Sequence, residues 1–451
     1  MATYDYDLFT IGAGSGGVRA ARLAGQLGKH SAIAEDWTVG GTCVHRGCIP
    51  KKFYVYASHF GEEIEDARAF GWDIEVRGFD WPRLVAAKKK ELARLEGLYV
   101  QNLAGAGVRI LRGRAVLEDA HTINVAGERV TAENILIATG GRPYMHEIPG
   151  HELMITSDQI FDLPEFPKRV AIAGAGYIAL EFAGILNGLG AEVTVVYRRT
   201  GVLRGFDDDV RTAVQEELET KGIKFIFETV FERIDRKADG LHVRLRNGDT
   251  LVADQVLMAA GRDPSTRGLG CEAAGVALNA RGAVVVDEYS RTTKPNIYAI
   301  GDVTERVNLT PVAIHEAMCL IDTLFRDTPT KPDHANVATA VFTQPPVGTV
   351  GLTEAEARER FGNVDIYRAR FRPLKHTISG RGERVMAKLV VDHASDRVVG
   401  AHMVGLEAPE IIQALAVAVK ARVTKAQFDA TMAVHPTTAE EFVLMYQKTT
   451  N

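Results

Sequence analysis

The 451-residue sequence predicts an α/β protein in which one strand–glycine turn–helix–strand unit occurs twice, followed by a smaller α+β unit. Three observations carry that expectation. A glycine-rich turn lies between an apolar strand and a helix-periodic run near the start of the chain. The same arrangement returns within residues 168–199. From about residue 337 the texture changes to short strands, turns and two helical stretches, with no such glycine turn.

The first unit opens with YDLFTIGAGSGG and continues at helical spacing through VRAARLAGQLG. Gly12, Gly14 and Gly17 fit G-x-G-x-x-G, the fingerprint of Rossmann-like dinucleotide-binding units. Gly12 permits the tight turn, Gly14 lets backbone approach a pyrophosphate, and Gly17 lets helix and strand pack closely. The helix N-terminus offers unpaired N–H groups to the anion. SAIAED forms the second strand and delivers Glu35 where a carboxylate hydrogen-bonds a ribose 2′-hydroxyl. A glycine turn alone is unspecific; between strand and helix, with an acid at the right distance, it points to FAD.

The second unit, KRVAIAGAGYIALEFAGILNGLGAEVTVVYRR, carries Gly174, Gly176 and Ala179 in the G-x-G-x-x-A variant. Its second strand ends in Arg198 and Arg199, with Arg204 further on, and no acid. Arginines there pair with a 2′-phosphate, so the expected nucleotide is NADPH rather than NADH; a solvated basic loop is the alternative. Two apolar strands ending in glycine, NILIATGGRP and QVLMAAGRDP, return the chain from each unit and bring Thr139, Gly140, Gly261 and Arg262 toward the nucleotides. NIYAIGDV ends at Gly301-Asp302, where the acid could contact a flavin or merely cap the following helix. The expected division is a flavin domain in two parts, 1–144 and 271–336, an NADPH domain over 145–270, and an interface domain over 337–451. In the last, ATAVFTQPPVGTVGL, AKLVVD and VVGAHMVG read as strands; APEIIQALAVAVKARVTKAQF and HPTTAEEFVLMY read as helices. Lys88-Lys89-Lys90 reads as the solvated face of a helix.

A net charge of -5 gives no case for nucleic acid, and no apolar run reaches the ~18–20 residues of a membrane helix. The chain enters its first strand without a leader-like stretch, and the expectation is a cytoplasmic protein. Four cysteines are too few for a disulfide framework. Cys43 and Cys48 stand apart because GGTCVHRGCIPKK places them at C-x4-C spacing in a glycine-rich loop that opens a helix. A helix N-terminus favours a thiolate, and Lys51 follows closely. Two buried small hydrophobes are the bland alternative. His45 lies between the thiols without zinc-like spacing, so no metal is expected.

These motifs together resemble the class I pyridine nucleotide–disulfide oxidoreductases, and within them the glutathione-disulfide-reducing branch of plant and bacterial type. The resemblance runs from Tyr6 to HPTTAEE. It implies that Cys43 attacks the substrate disulfide and that Cys48 faces the flavin as a charge-transfer thiolate. Lys51 and Glu181 resemble an ion pair beside the flavin, and Tyr177 resembles an aromatic gate over the nicotinamide site. Thr42, Asp302 and Thr310 match flavin-contacting positions; Ser15, Arg22 and Tyr99 match glutathione-contacting ones, with Ser15 also beside the flavin. His435 and Glu440 match an acid–base pair that serves the other subunit, which implies a homodimer. Met318 stands where animal forms carry arginine. Dihydrolipoamide dehydrogenase is the runner-up, yet it should carry an acid where Arg198 stands. Trypanothione-type reductases carry an acid and a tryptophan where this chain has Arg19 and Arg22, a poor match to a cationic substrate.

Overall fold

The computed structural model describes residues 4–449. Tyr6–Ile11 and Ser31–Glu35 are each buried at four consecutive positions, the signature of strands covered on both faces. They pair in parallel, Leu8 opposite Ser31. Arg109–Arg112 extends the sheet on one side and Glu128–Ile137 on the other, both parallel to their neighbours. The short strands Ala115–Leu117 and Thr122–Val125 return antiparallel onto Glu128–Ile137, whose far end also receives Ile297–Ala299 in parallel. Residues far apart in sequence thus complete one sheet. The helix Ser15–Gln26 covers one face and packs through Ala20 and Ala24 against Ala317, Leu320 and Ile321 of the helix Thr310–Phe325.

The second unit repeats the strand order. Lys224–Phe227, Glu192–Tyr197, Arg169–Ala173 and Gln255–Met258 lie side by side and all parallel. A three-stranded antiparallel meander, Phe231–Lys237, Gly240–Leu245 and Thr250–Ala253, leads into the last of them. Where the chain crosses between the units, Gly141–Pro143 pairs antiparallel with Arg262–Pro264. The helix Tyr177–Gly188 is buried without a break from Ala179 to Leu186, because it packs on its own sheet and against the long helix Cys48–Ala69. The third unit is a five-stranded antiparallel sheet in the order Thr339–Val341, Val347–Gly351, Val398–Val404, Val385–Asp392, Val364–Phe371. The helix Ala408–Lys420 covers it through Ala408, Ile412 and Val419. No helix of the described residues is long and apolar enough to cross a membrane. The architecture is the expected one: two Rossmann-like units and an α+β unit.

Local expectations differ from the structure at four places. Lys88 is buried, not solvated: its ammonium donates to the Phe161 carbonyl at 2.9 Å and to Asp162 at 2.7 Å. The stretch read as one helix from Ala408 breaks after Lys420 and restarts at Lys425, where Thr424 and Gln427 form a capping box. HPTTAEEFVLMY begins with the 3-10 turn Thr438–Glu440 and only then the short helix Glu441–Leu444. Asp302 is no helix cap: it lies within the 3-10 turn Gly301–Thr304, and Leu309 occupies the N-cap of the next helix.

Candidate active site

Both glycine turns are shaped by close backbone approach. Gly12 has φ of +100°, and a Cβ there would lie 2.5 Å from the Ala138 carbonyl oxygen. Gly174 repeats this, with φ of +115° and a Cβ 2.4 Å from the Ala259 carbonyl oxygen. A Cβ on Gly17 would meet the Gly12 carbonyl oxygen at 2.0 Å, while its counterpart Ala179 fits fully buried. Gly14 and Gly176 differ: a Cβ on either would have nothing within 4 Å. Each is the N-cap of a helix, so bare backbone N–H groups face open space, a cradle that fits a pyrophosphate. Glu35 is fixed at its strand end, one oxygen accepting from the Ala13 N–H at 2.8 Å and the other from Trp37 at 3.0 Å. Burial pushes its carboxyl pKa up.

From the first glycine turn a cleft of about 1250 Å³ runs between the units, larger than the ~300–1,000 Å³ of ordinary small-molecule pockets. Gly12, Gly14, Ser15 and Glu35 line one end; Thr42, Cys43, Cys48 and Lys51 line the middle. Thr139, Gly140, Asp302 and Thr310 form one wall, and Tyr177, Glu181 and Arg262 reach in from the second unit and its connection. Arg262 donates to the Gly141 carbonyl, and its Nε lies 3.9 Å from Asp302. Burial raises the Asp302 carboxyl, opposed by Arg262. Thr139 donates to the Ser265 carbonyl at 2.8 Å, next to the left-handed Gly140.

The cysteines are inequivalent. Cys43 is half-buried in the short helix Gly41–His45, while Cys48 is the first residue of Cys48–Ala69 and opens to the cleft. Both thiols are free, and Cys48 Sγ lies 3.7 Å from the Thr310 hydroxyl. The neighbouring Cys43 thiol is the largest influence lowering Cys48, to about 6; the Thr310 hydroxyl and Lys51 ammonium act in the same direction, against burial. The proximity of Cys48 and burial push Cys43 up. Behind the pair, Lys51 Nζ and Glu181 Oε1 meet at 2.7 Å, both nearly excluded from water. Glu181 also accepts from the Phe342 N–H at 2.9 Å, and the Phe342 ring lies under the Lys51 ammonium at 4.3 Å. Tyr177 opens the helix that carries Glu181, and burial pushes its phenol up to about 12.

Arg198, Arg199 and Arg204 are exposed beyond the strand Glu192–Tyr197, and no carboxylate pairs with them among the described residues. Unpaired guanidiniums at that strand end fit a phosphate. Gly261, with φ of +149°, precedes Arg262. Arg22 lies on the helix after the first glycine turn, its Nε buried without a partner. Burial and the charge of Cys43 raise the Tyr99 phenol, while Arg19 and Arg22 lower it, which places these four groups in one electrostatic neighbourhood. His435 is outside the cleft: its side chain is 79% exposed, with Nδ1 2.9 Å from Glu440 Oε2. Thr437 caps the turn that holds Glu440, accepting from its N–H at 3.3 Å.

Two contributors were not legible in the sequence. Phe342 sits in an ordinary apolar run, and nothing there announces its contact with Lys51 and Glu181. Arg46, between the cysteines, stacks at 3.4 Å on Trp37 and pairs with Asp158 at 2.7 Å, fastening the cysteine loop to the second unit's approach segment.

Residues 6–317 match the profile of the pyridine nucleotide-disulphide oxidoreductase family, and residues 337–446 match its dimerisation domain. The chain belongs to this family. It is 53% identical over 99% of its length to glutathione reductase of Burkholderia cepacia, covering 99% of that protein. It is 49% identical to glutathione reductase of Nostoc sp., over 98% of this chain and all of that one. Among solved structures, the HOCl-induced flavoprotein disulfide reductase RclA from Escherichia coli superposes with a TM-score of 0.89 at 27% identity, over 98% of this chain and 99% of that one.

Proposed function

We propose that this protein is an NADPH-dependent flavoprotein that reduces glutathione disulfide to two glutathiones, acting as a cytoplasmic homodimer. The observation that carries the reading is the asymmetric pair Cys43–Cys48, set in one cleft with the first glycine turn and the Lys51–Glu181 ion pair. The glutathione reductases it resembles over almost the whole chain supply the substrate.

The flavin domain is formed by 1–144 and 271–336, the NADPH domain by 145–270, and the interface domain by 337–451. FAD fits the first turn: the bare backbone at Gly14 takes the pyrophosphate, Glu35 the ribose, and Thr42, Thr139, Gly140, Asp302 and Thr310 the rest of the cofactor. NADPH fits the second turn through Gly174, Gly176 and Arg262, with Arg198 and Arg204 on the 2′-phosphate. Bound there, FAD would supply the two-electron relay between the hydride of NADPH and the Cys43–Cys48 disulfide. Lys51, held by Glu181, places positive charge in the cleft beside Cys48.

Cys48 then waits as a thiolate while Cys43 acts on substrate. The Cys43 sulfur attacks one sulfur of glutathione disulfide, forms a mixed disulfide and expels glutathione thiolate. His435 of the partner subunit, oriented by its Glu440, takes the Cys43 proton and returns it to the leaving thiolate. Cys48 attacks the Cys43 sulfur, releases the second glutathione and closes the protein disulfide. Arg22, with its unpartnered Nε, and Tyr99 and Ser15 orient the anionic substrate.

The test is oxidation of NADPH by the purified FAD-loaded protein. Turnover with glutathione disulfide, and far slower turnover with NADH, is expected. Turnover of lipoamide with NAD(H) alone, or of trypanothione disulfide in preference to glutathione disulfide, refutes the assignment.

A further inference from the structure

Lys388 is 1% exposed on the strand Val385–Asp392 of the third unit. A buried ammonium is costly unless every N–H finds a partner. Here each does: Nζ donates to Asp207 at 2.8 Å, Asp209 at 2.6 Å and Glu354 at 2.8 Å. Asp209 keeps a second cation in Arg368, and Glu354 keeps Arg358. Lys388 is the ion-pair partner of Asp207 among the described residues. Asp207 is itself 1% exposed, and it caps the helix Asp208–Thr220 by accepting from the Asp209 N–H at 3.1 Å.

Asp207 ends the loop 198–207, which carries Arg198, Arg199 and Arg204. That loop is held inward by buried Val202 and Leu203, by the Val202 carbonyl accepting from Arg211 Nε at 2.8 Å, and by two contacts that bracket Arg204. The Leu203 N–H donates to the Ala175 carbonyl at 2.9 Å, inside the second glycine turn. Asp207 is the other, gripped from the third unit by Lys388 and by the Glu354 N–H, which donates to its second carboxylate oxygen at 2.9 Å. Arg204 lies between the two anchors, with its guanidinium free.

We propose that Lys388 is a positioning residue for NADPH recognition: from the interface domain it clamps Asp207 and so holds Arg204 where a nucleotide 2′-phosphate arrives. The proposal rests on the reading of Arg198 and Arg204 as the phosphate contacts. Without Lys388, Asp207 has no paired cation beside two other acids. The Glu354 and Asp209 N–H groups alone then hold the carboxylate beside those acids, and movement of Asp207 toward water carries the Arg204 end of the loop with it. NADH lacks the phosphate and does not depend on this grip.

Lys388→Met is expected to raise KM for NADPH about tenfold, equivalent to about 1.4 kcal/mol of lost binding. KM for NADH and for glutathione disulfide, flavin content and kcat at saturating NADPH should stay unchanged. Asp207→Asn keeps the cap but weakens the clamp, and it should shift the same constant by less; it serves if the lysine variant does not fold. An unchanged NADPH KM in the folded variants, or a parallel rise for NADPH, NADH and disulfide, overturns the proposal. Arg204→Ala separates the two layers. If it lowers the preference for NADPH over NADH while Lys388→Met does not, the clamp alone is wrong. If Arg204→Ala leaves that preference intact, the phosphate reading and the clamp fall together.

Discussion

Replacing Cys43 by alanine should remove the thiolate character of Cys48. The neighbouring Cys43 thiol is the largest influence lowering Cys48 from an ordinary 9.0 to about 6. Lowered in this way Cys48 is mostly thiolate at pH 7, whereas a thiol at its ordinary value is about one-hundredth ionised. Burial opposes ionisation and remains in the variant, while Thr310 and Lys51 still favour it. The midpoint should therefore rise above 7, and the thiolate fraction at pH 7 should fall below about half. The direction in pH follows: thiolate is present above the midpoint and is lost as pH falls through it, so the variant loses it at higher pH than the parent. The assay is a pH titration of long-wavelength thiolate–flavin absorbance in the FAD-loaded, reduced protein. Cys43→Ser, which keeps a donor hydroxyl, should give an intermediate midpoint. A Cys43→Ala midpoint still near 6 would show that Lys51 and the helix termini, not the neighbouring thiol, set the ionisation.

The remaining predictions concern separate parts of the molecule. Gly14→Ala should leave the melting temperature of the flavin-free protein unchanged, since its Cβ meets nothing within 4 Å, yet weaken FAD binding in a fluorescence titration. Gly17→Ala, whose Cβ would lie 2.0 Å from the Gly12 carbonyl oxygen, should destabilise the fold by about 1–3 kcal/mol; equal stability of the two variants would contradict the packing argument. Lys88→Met should cost about 1–2 kcal/mol in calorimetry with kcat/KM unaffected, because its hydrogen bonds to Phe161 and Asp162 are lost while the Phe161 carbonyl keeps the Tyr54 hydroxyl at 2.7 Å and Asp162 keeps Lys89 at 3.3 Å. His435→Gln should leave reduction of the cysteine pair by NADPH intact and slow disulfide turnover by about 10²–10⁴-fold, the scale of general acid–base help. Stopped-flow traces in which both halves slow equally would deny His435 that role.

The parts of the site that were legible in the sequence are those written in consecutive residues. Each glycine turn encodes its own sterics between a strand and a helix, and the two cysteines declare themselves by spacing within one loop. Arg198 and Arg204 are readable because a strand end fixes where they emerge. What stayed hidden depends on pairs brought together by packing between units. Glu181 meets Lys51 across 130 residues, a pairing that the sequence implies only through family resemblance. The Phe342 contact, the Arg46–Asp158 bridge and the Lys388 clamp have no local signature at all. Lys88 misled for the same reason: its burial is set by Phe161 and Asp162 on a distant segment, not by the lysine run it belongs to. The strand Val364–Phe371 has no clean alternation, because Ile366 and Tyr367 are buried at adjacent positions while the exposed Arg368 and Arg370 reach Asp209 and Glu216 on the second unit.

The division of labour within the cysteine pair can be tested directly by trapping the mixed disulfide. Cys48→Ser protein, reduced and then exposed to glutathione disulfide, should hold one glutathione on Cys43, identified by peptide mass spectrometry, and should release no second glutathione. Failure of Cys43 to take up glutathione in this variant, with Cys43→Ser instead forming the adduct on Cys48, would contradict the assignment of attack to Cys43.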